Sequence, residues 1–506
     1  MAEQSDSDIQ SLSIQSDTMD KLDAVPKLDE PLQQPHHEVA PTRSDRPIAE
    51  TRQAYGPPGF RGLFHSSYVA LCAAFSAMGG LLFGYDQGVV SVILVMPQFL
   101  DQFPRVSDTA SGAGFWKGLL TAMIELGALL GAFNQGWIAD KISRKYSIVL
   151  AVFIFTIGSA LQTGAVDYPM LVVARLIGGV GIGMLSMVAP LFISEISPPE
   201  IRGSLLLPKS DTRVVQEWYD IRTEVAFQKE IAQERHPKLF GSRKAIDRAK
   251  LELVSWSDCF KKGCWRRTHV GMGLMFFQQF VGINALIYYA PTLFETMGQD
   301  YDMQLVLAGV LNVAQLVGVS SSLWSMDRYG RRPLLLWGAA IMGIAHIIIA
   351  VLVGKFDDNW PAHKPQGWTS VAFLFLYMLA FGASWGPVPW SLPAEIFPSS
   401  LRAKGVALST CSNWLNNFII GLITPPLVQN TGFGAYTFFA VFCILAFVWT
   451  FFFVPETNGR SLEQMDHVFK DKSSEGEEAR RIRIETEIMG RIPVGSDVES
   501  ADAVKT

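Results

Sequence analysis

The chain has 506 residues, 49% of them hydrophobic and 18% charged, with a net charge of −5. A mean hydropathy of +0.23 is high for a soluble protein of this size and suits a polytopic membrane protein, and the acidic balance offers nucleic acid nothing to bind. The five cysteines, Cys72, Cys259, Cys264, Cys411 and Cys443, are odd in number and three lie in apolar runs, so they imply no disulfide framework; Cys259 and Cys264 also lack the C-x-x-C spacing of a zinc site.

Residues 1–60 are rich in Ser, Asp, Gln, Pro and Glu and read as a disordered tail, without the short apolar core of a signal peptide. Ten apolar spans follow, near 66–95, 115–139, 146–165, 168–194, 269–293, 303–326, 333–354, 368–392, 404–428 and 434–454. One set of connecting segments carries Lys141, Arg144 and Lys145, then the long stretch 196–268, then Arg328, Arg331 and Arg332, then Arg402 and Lys404. The alternate set carries Asp101, Asp108, Asp167, Glu295, Asp300, Asp302, Asp357 and Asp358. The positive-inside rule puts the first set and both tails in the cytoplasm. In 205–268, charges of both signs recur at helical spacing, as short amphipathic helices on the cytoplasmic face would show. The charged segment 456–506 reads as a mostly disordered cytoplasmic tail.

The fifth apolar run holds the most informative stretch, Phe276 to Tyr289, with Gln278, Gln279 and Asn284 inside it. A primary amide in hydrocarbon without a partner costs roughly 2–7 kcal/mol, so three of them should face a cavity or other helices. Carboxamides offer donors and acceptors without charge, which suits a neutral, hydroxyl-rich solute. On a straight helix Gln279 and Asn284 point about 140° apart. A break near Gly282 would unite them, and broken helices mark binding sites in transporters. The alternative is plain interhelical hydrogen bonding, worth about 0.6 kcal/mol per bond.

Two elements occur twice. Asp140-Lys141-Ile142-Ser143-Arg144-Lys145 pairs with Asp327-Arg328-Tyr329-Gly330-Arg331-Arg332, and Glu195-Ile196 with Arg202-Gly203 pairs with Glu395-Ile396 with Arg402 and Gly405. The order within each half is the same, as in a parallel repeat of two similar halves. Asp140, Arg144, Glu195, Arg202, Asp327, Arg331, Arg332, Glu395 and Arg402 would form charge networks that lock and release a cytoplasmic gate. Simple positive-inside anchoring is the other reading. The repeat also has a gap. After Gly405 two more spans precede Pro455, but Gly203 runs through Leu205-Leu206-Leu207 into polar sequence.

With both halves in view the chain resembles the sugar porter family of the major facilitator superfamily, its fungal members in particular. The matching motifs are Phe83–Asp86 (FGYD), Ala174–Gly179 (ARLIGG), Ser194–Gly203, Gln278–Asn284 (QQFVGIN), Asp327–Arg332 (DRYGRR), Gly386–Trp390 (GPVPW), Ala394–Gly405, Ser412–Phe418 and Pro455–Glu463. Each is weak alone; their order across 65–470 makes the likeness. It implies an all-α polytopic membrane protein with the major facilitator fold. Its bundles would be 61–204, with four spans, and 269–455, with six, in place of six and six, joined by cytoplasmic helices in 205–268.

The resemblance further implies that Gln278, Gln279, Asn284, Asn413, Asn417 and Gln315 hydrogen-bond sugar hydroxyls, with Asn312 one turn from Gln315, and that Trp390 packs on the ring face. Trp390 and Trp385 otherwise serve packing or interface anchoring. Family members with Asp at position 86 resemble proton symporters, with Arg175 as its partner; a purely structural ion pair is the alternative. The family's fifth and sixth spans, the fifth carrying a sugar-site glutamine, have no counterpart here. Either the chain is a mispredicted or alternatively spliced translation of an intact gene, or it is a ten-span protein with lost or altered transport. The function implied is monosaccharide transport with H⁺ across the plasma membrane by a monomer embedded in the lipid bilayer, with no cofactor. A passive uniporter and a sugar-sensing receptor are the rival functions. No nucleophile–base motif, phosphate loop or metal set suggests an enzyme.

Overall fold

The structure, a computed structural model, describes residues 67–107, 109–142, 144–196, 212–237, 239, 245–261, 264–398, 401–458, 465, 468–469 and 475–490. The 1–60 tail and the Leu205–Leu207 junction lie outside them. The first half holds α1 (Ser67–Ile93), α2 (Ala113–Ile142), α3 (Arg144–Thr163) and α4 (Tyr168–Ile196). Two helices, α5 (Thr212–Arg235) and α6 (Ala245–Ser257), follow. The second half holds α7 (Trp265–Phe280), α8 (Ile283–Tyr288), α9 (Ala290–Glu295), α10 (Tyr301–Tyr329), α11 (Arg331–Phe356), α12 (Lys364–Ala383), α13 (Val388–Ile396), α14 (Arg402–Thr431) and α15 (Phe433–Phe453). Among the described residues nine helical stretches are long and apolar enough to cross a bilayer, and α1 occupies the place of the first predicted span. Helix ends run past the predicted apolar limits because a helix continues into the polar interface, where hydropathy alone no longer marks it.

Without a hydrophobic force between helices in lipid, close backbone approach does the packing. A Cβ added at Gly127, Gly131, Gly179 or Gly183 would collide with a backbone carbonyl across the α2–α4 contact. The core of the second half is built on Leu274, Leu286, Met342, Tyr377, Trp385 and Tyr436, each at most 1% exposed.

The predicted break is present: α7 ends at Phe280, Gly282 has φ +103°, and α8 begins at Ile283. A break orphans backbone carbonyls, which must find partners at membrane depth. Val281 O is met by the Tyr377 hydroxyl at 3.1 Å and His346 Nε2 at 3.2 Å, both buried. A Cβ at Gly282 would stand 2.8 Å from the Phe439 ring. Gly282→Val therefore meets both a left-handed backbone, unfavourable by about 1–2 kcal/mol for an L-residue, and a clash. The expected result is a lower unfolding temperature of the detergent-purified protein, read by thermal shift; an unchanged value refutes it.

The tail 456–506 holds one element that its composition did not announce: Glu475–Gly490 forms α16. Its Ile484 packs with Phe227 and Ile231 of α5, and Arg480 pairs with Glu234 and Arg483 with Glu230. The charged composition hid an apolar stripe that only the α5 partner reveals. At the far end of α5, His236 Nε2 lies 2.8 Å and Lys261 Nζ 2.6 Å from the Asp258 carboxylate. Burial pushes that carboxyl up, but the hydrogen bonds and charges of Lys261 and His236 outweigh it and hold it below the usual range.

Candidate functional site

The broken helix brings together what a straight one would separate. Asn284 Nδ2 donates to Gln279 Oε1 at 2.5 Å across the Gly282 break. Gln278 Nε2 donates to Trp385 O at 2.8 Å and Gly386 O at 3.0 Å, the carbonyls at the second break, between α12 and α13. Its Oε1 accepts from Asn413 Nδ2 of α14 at 2.7 Å. Gln278, expected to face a sugar, is thus fully engaged with protein here and fixes both the α12–α13 break and the Asn413 rotamer. Asn417 Nδ2, one turn on, donates to the Tyr288 hydroxyl at 3.0 Å. Gln278, Gln279, Asn284, Asn413 and Asn417 are all buried. Gln279 Nε2, Asn284 Oδ1 and Asn413 Oδ1 have no hydrogen-bond partner among the described residues.

The remaining predicted contacts stand apart. The half-buried Gln315 amide makes no hydrogen bond among the described residues. The exposed Asn312 donates back to Ala308 O of its own helix at 3.1 Å. Trp390 is 41% exposed, whereas Trp385 is fully buried and donates to Leu335 O at 2.9 Å.

Asp86 and Arg175 do meet: Arg175 Nη2 lies 3.6 Å from Asp86 Oδ2, with both side chains largely buried. Beside them is a residue the sequence reading missed. Glu125 of α2 is 0% exposed and accepts from the Tyr288 hydroxyl and, at 3.3 Å, from Gln87 Nε2. Its signal was present: an acid mid-way along the apolar run TAMIELGALL, where intramembrane carboxyls mark function by default. Gln87, directly after Asp86, was missed too; it reaches Tyr288 at 2.6 Å.

The halves touch through α2 and α14. Pro425 and Pro426 supply no N–H, which frees the carbonyls of Gly421 and Leu422 one turn earlier. The Tyr289 hydroxyl takes Gly421 O at 2.8 Å. Leu422 O presses against Gly118 of α2, where a Cβ would collide with it, and a Cβ at Gly114 would lie 3.0 Å from the Pro426 backbone.

The second-half charge cluster is assembled. Arg331 Nη2 lies 3.0 Å from Glu395 Oε1 and its Nη1 3.5 Å from Asp327. Glu456, named only as part of a motif, caps α11: its carboxylate accepts the backbone N–H groups of Arg331 at 3.0 Å and Arg332 at 3.1 Å. Arg332 Nη2 donates to Phe451 O at 2.7 Å. Thr457 closes the set on Glu395 at 2.6 Å. These contacts all lie within the second half. Of the repeat's other members, Arg144 and Arg402 are half-buried, the side chains of Asp140 and Glu195 are not described, and Arg202 lies outside the described residues. Among the described residues no three His, Cys, Asp or Glu side chains are placed to hold a metal.

Comparison with known proteins matches the "Sugar (and other) transporter" family over residues 72–208 and 212–469. "Sugar transport protein 8" of Arabidopsis thaliana is 29% identical, over 80% of this chain and 92% of that protein. The Neurospora crassa protein called "Probable glucose transporter rco-3" is 30% identical over 80% of each chain. Among solved structures, a crystal structure of a D-xylose-proton symporter aligns with a TM-score of 0.58 at 25% identity, covering 78% of this chain and 100% of that one. Members of this kind are carriers, not enzymes. Two halves of apolar helices, a carboxamide cluster at paired helix breaks and a family match over most of the length lead to one statement: the chain belongs to the sugar transporter family of the major facilitator superfamily.

Proposed function

We propose that the chain moves a monosaccharide across the plasma membrane together with a proton, by alternating closure of its two halves. The observation that carries this reading is the amide cluster: five buried carboxamides converge at two helix breaks, and three of their polar atoms have no partner among the described residues. Uncharged donors and acceptors held by a neighbouring shell of hydrogen bonds suit a ligand made of hydroxyl groups. Gln279, Asn284 and Asn413 would bind directly, Gln278 and Asn417 would hold them, and Gln315 and Trp390 would join only when the halves rearrange. Asp86 with Arg175 would carry the coupled proton. The closed α2–α14 contact sits on the side that loop charges assign to the exterior, so this state would open inward, with both termini in the cytoplasm.

We also infer that a segment equivalent to two spans is absent after Ser204. The family match is interrupted at 208–212. The alignment with the Arabidopsis protein runs over 468 positions but takes in 80% of 506 residues, about 405, so roughly 60 positions are empty on this side. On α10 the exposed stripe Val306, Val310, Val313 and Val317 runs beside exposed Asn312, a polar group ill suited to lipid. A missing neighbour would cover that face. Transcript sequencing across Leu205–Leu207 tests this: a message with coding sequence between these codons marks the shorter chain as a splicing or gene-prediction product, and one without it marks a true ten-span protein.

Uptake of a labelled sugar panel by a transport-null host, with this chain and with a version carrying two restored spans, tests the function. Uptake of at least one monosaccharide by either supports it. Signalling on sugar addition without uptake by either chain supports the receptor reading instead.

A further inference from the structure

We propose that Glu125 is a second proton-binding site, and that its negative charge ties the two halves together through Tyr288, an inference that rests on the transport reading above. The tie is specific in its atoms. Tyr288 has one hydroxyl proton and room to accept two. Asn417 Nδ2 at 3.0 Å and Gln87 Nε2 at 2.6 Å can only donate, so they fill the acceptor positions. Of the two acceptors within reach, Asn417 Oδ1 at 3.2 Å and the closer, charged Glu125 Oε1, the hydroxyl proton goes to Glu125, whose Oε1 also takes the 3.3 Å contact from Gln87. Gln87 and Glu125 belong to α1 and α2 of the first half; Tyr288 and Asn417 belong to α8 and α14 of the second. One buried carboxylate therefore collects donors from both halves.

The other oxygen, Glu125 Oε2, is buried with no hydrogen-bond partner among the described residues. Buried polar atoms are rarely left so, and each needs a reason. Here Oε2 is where a proton would sit. With H⁺ on Oε2, Oε1 becomes the carbonyl oxygen of a neutral acid, and the hydrogen bond from Tyr288 loses its charge assistance, about half its strength. The segment it would release is short and already bounded: α8 has six residues, between the left-handed Gly282 and the non-helical Tyr289. The groups that face Glu125 are Asp86 from α1, Arg175 from α4, and Tyr288 and Tyr289 at the end of α8; α14 presents the uncharged Asn417 amide. Asp86 and Glu125 share one counter-charge, Arg175. Proton arrival at Glu125 would loosen the α2–α8–α14 contact, and proton loss would restore it.

The test needs no sugar, so its outcome is separate from that of the uptake panel. Azide-bearing amino acids would replace Asp167 and Asn430, two exposed residues at the same end of opposite halves, and take spin labels without touching the native cysteines. Distances in the full-length protein in lipid nanodiscs would be read between about pH 5 and pH 8. The expected result is a short-distance population dominant at high pH, with the short-to-long ratio falling about tenfold on acidification, the difference between a charged and a neutral hydrogen bond. Glu125→Gln should hold the acid-type distribution at every pH, and Glu125→Asp should restore a pH response. Should Glu125→Gln fail to give monodisperse protein, Tyr288→Phe asks the same question from the donor side and should also abolish the response. A wild-type distribution that ignores pH, or a response that survives Glu125→Gln or Tyr288→Phe, overturns the assignment.

Discussion

Replacing Gly118 with tryptophan should reduce sugar uptake to background while leaving the protein folded. Gly118 faces the Leu422 carbonyl, exposed because Pro426 cannot supply the helix N–H that would otherwise engage it. Overpacking by even a few methylenes costs about 1–3 kcal/mol, and an indole adds far more volume than that. Driving a two-state equilibrium from 1:99 to 99:1 takes about 5.5 kcal/mol, so a wedge here should remove the closed state almost completely. The lesion falls between the halves. The α2–α4 packing within the first half uses other glycines, Gly127 and Gly131, and stays intact. Gly118→Ala should give a partial loss. Monodisperse elution on gel filtration with absent uptake is the expected pair of results; wild-type uptake by Gly118→Trp would mean that α2 and α14 need not close during transport.

The break at Gly282 and the carboxamides around it were legible because each breaks a strong local rule. Amides do not belong in hydrocarbon, and glycine before an apolar run invites a turn. The second-half charge cluster was legible for a similar reason, since it recurs in both halves. What was not legible depends on distance in sequence. Glu125 meets Tyr288 across 163 residues, and no spacing rule connects them. Gln278 looked like a ligand group because its partners are backbone carbonyls of Trp385 and Gly386, which carry no side-chain signal. The pairing of α16 with α5 was hidden the same way: Ile484 meets Phe227 and Ile231 across more than 250 residues.

Replacing Asp86 with asparagine should abolish uphill accumulation and spare exchange. Asn keeps the shape of the side chain and an oxygen facing Arg175, but it cannot carry a proton. Arg175 stands 3.6 Å from Asp86 Oδ2, which has no hydrogen-bond partner among the described residues, so little geometry depends on the charge itself. One charge crossing a potential of 100 mV is worth about 2.3 kcal/mol, enough to hold a roughly 40-fold sugar gradient. In energised cells the wild-type chain, or its version with restored spans, should build such a gradient and lose it on addition of a protonophore. Asp86→Asn should stop near equal concentrations inside and out, yet still exchange labelled for unlabelled sugar. If Asp86→Asn accumulates sugar normally and the protonophore still collapses the gradient, the transported proton travels by another group. Glu125, 0% exposed and electrostatically linked to the same Arg175, is then the residue to replace next. If instead the wild-type chain never exceeds equal concentrations, the Asp86–Arg175 pair is structural and the chain is a passive carrier.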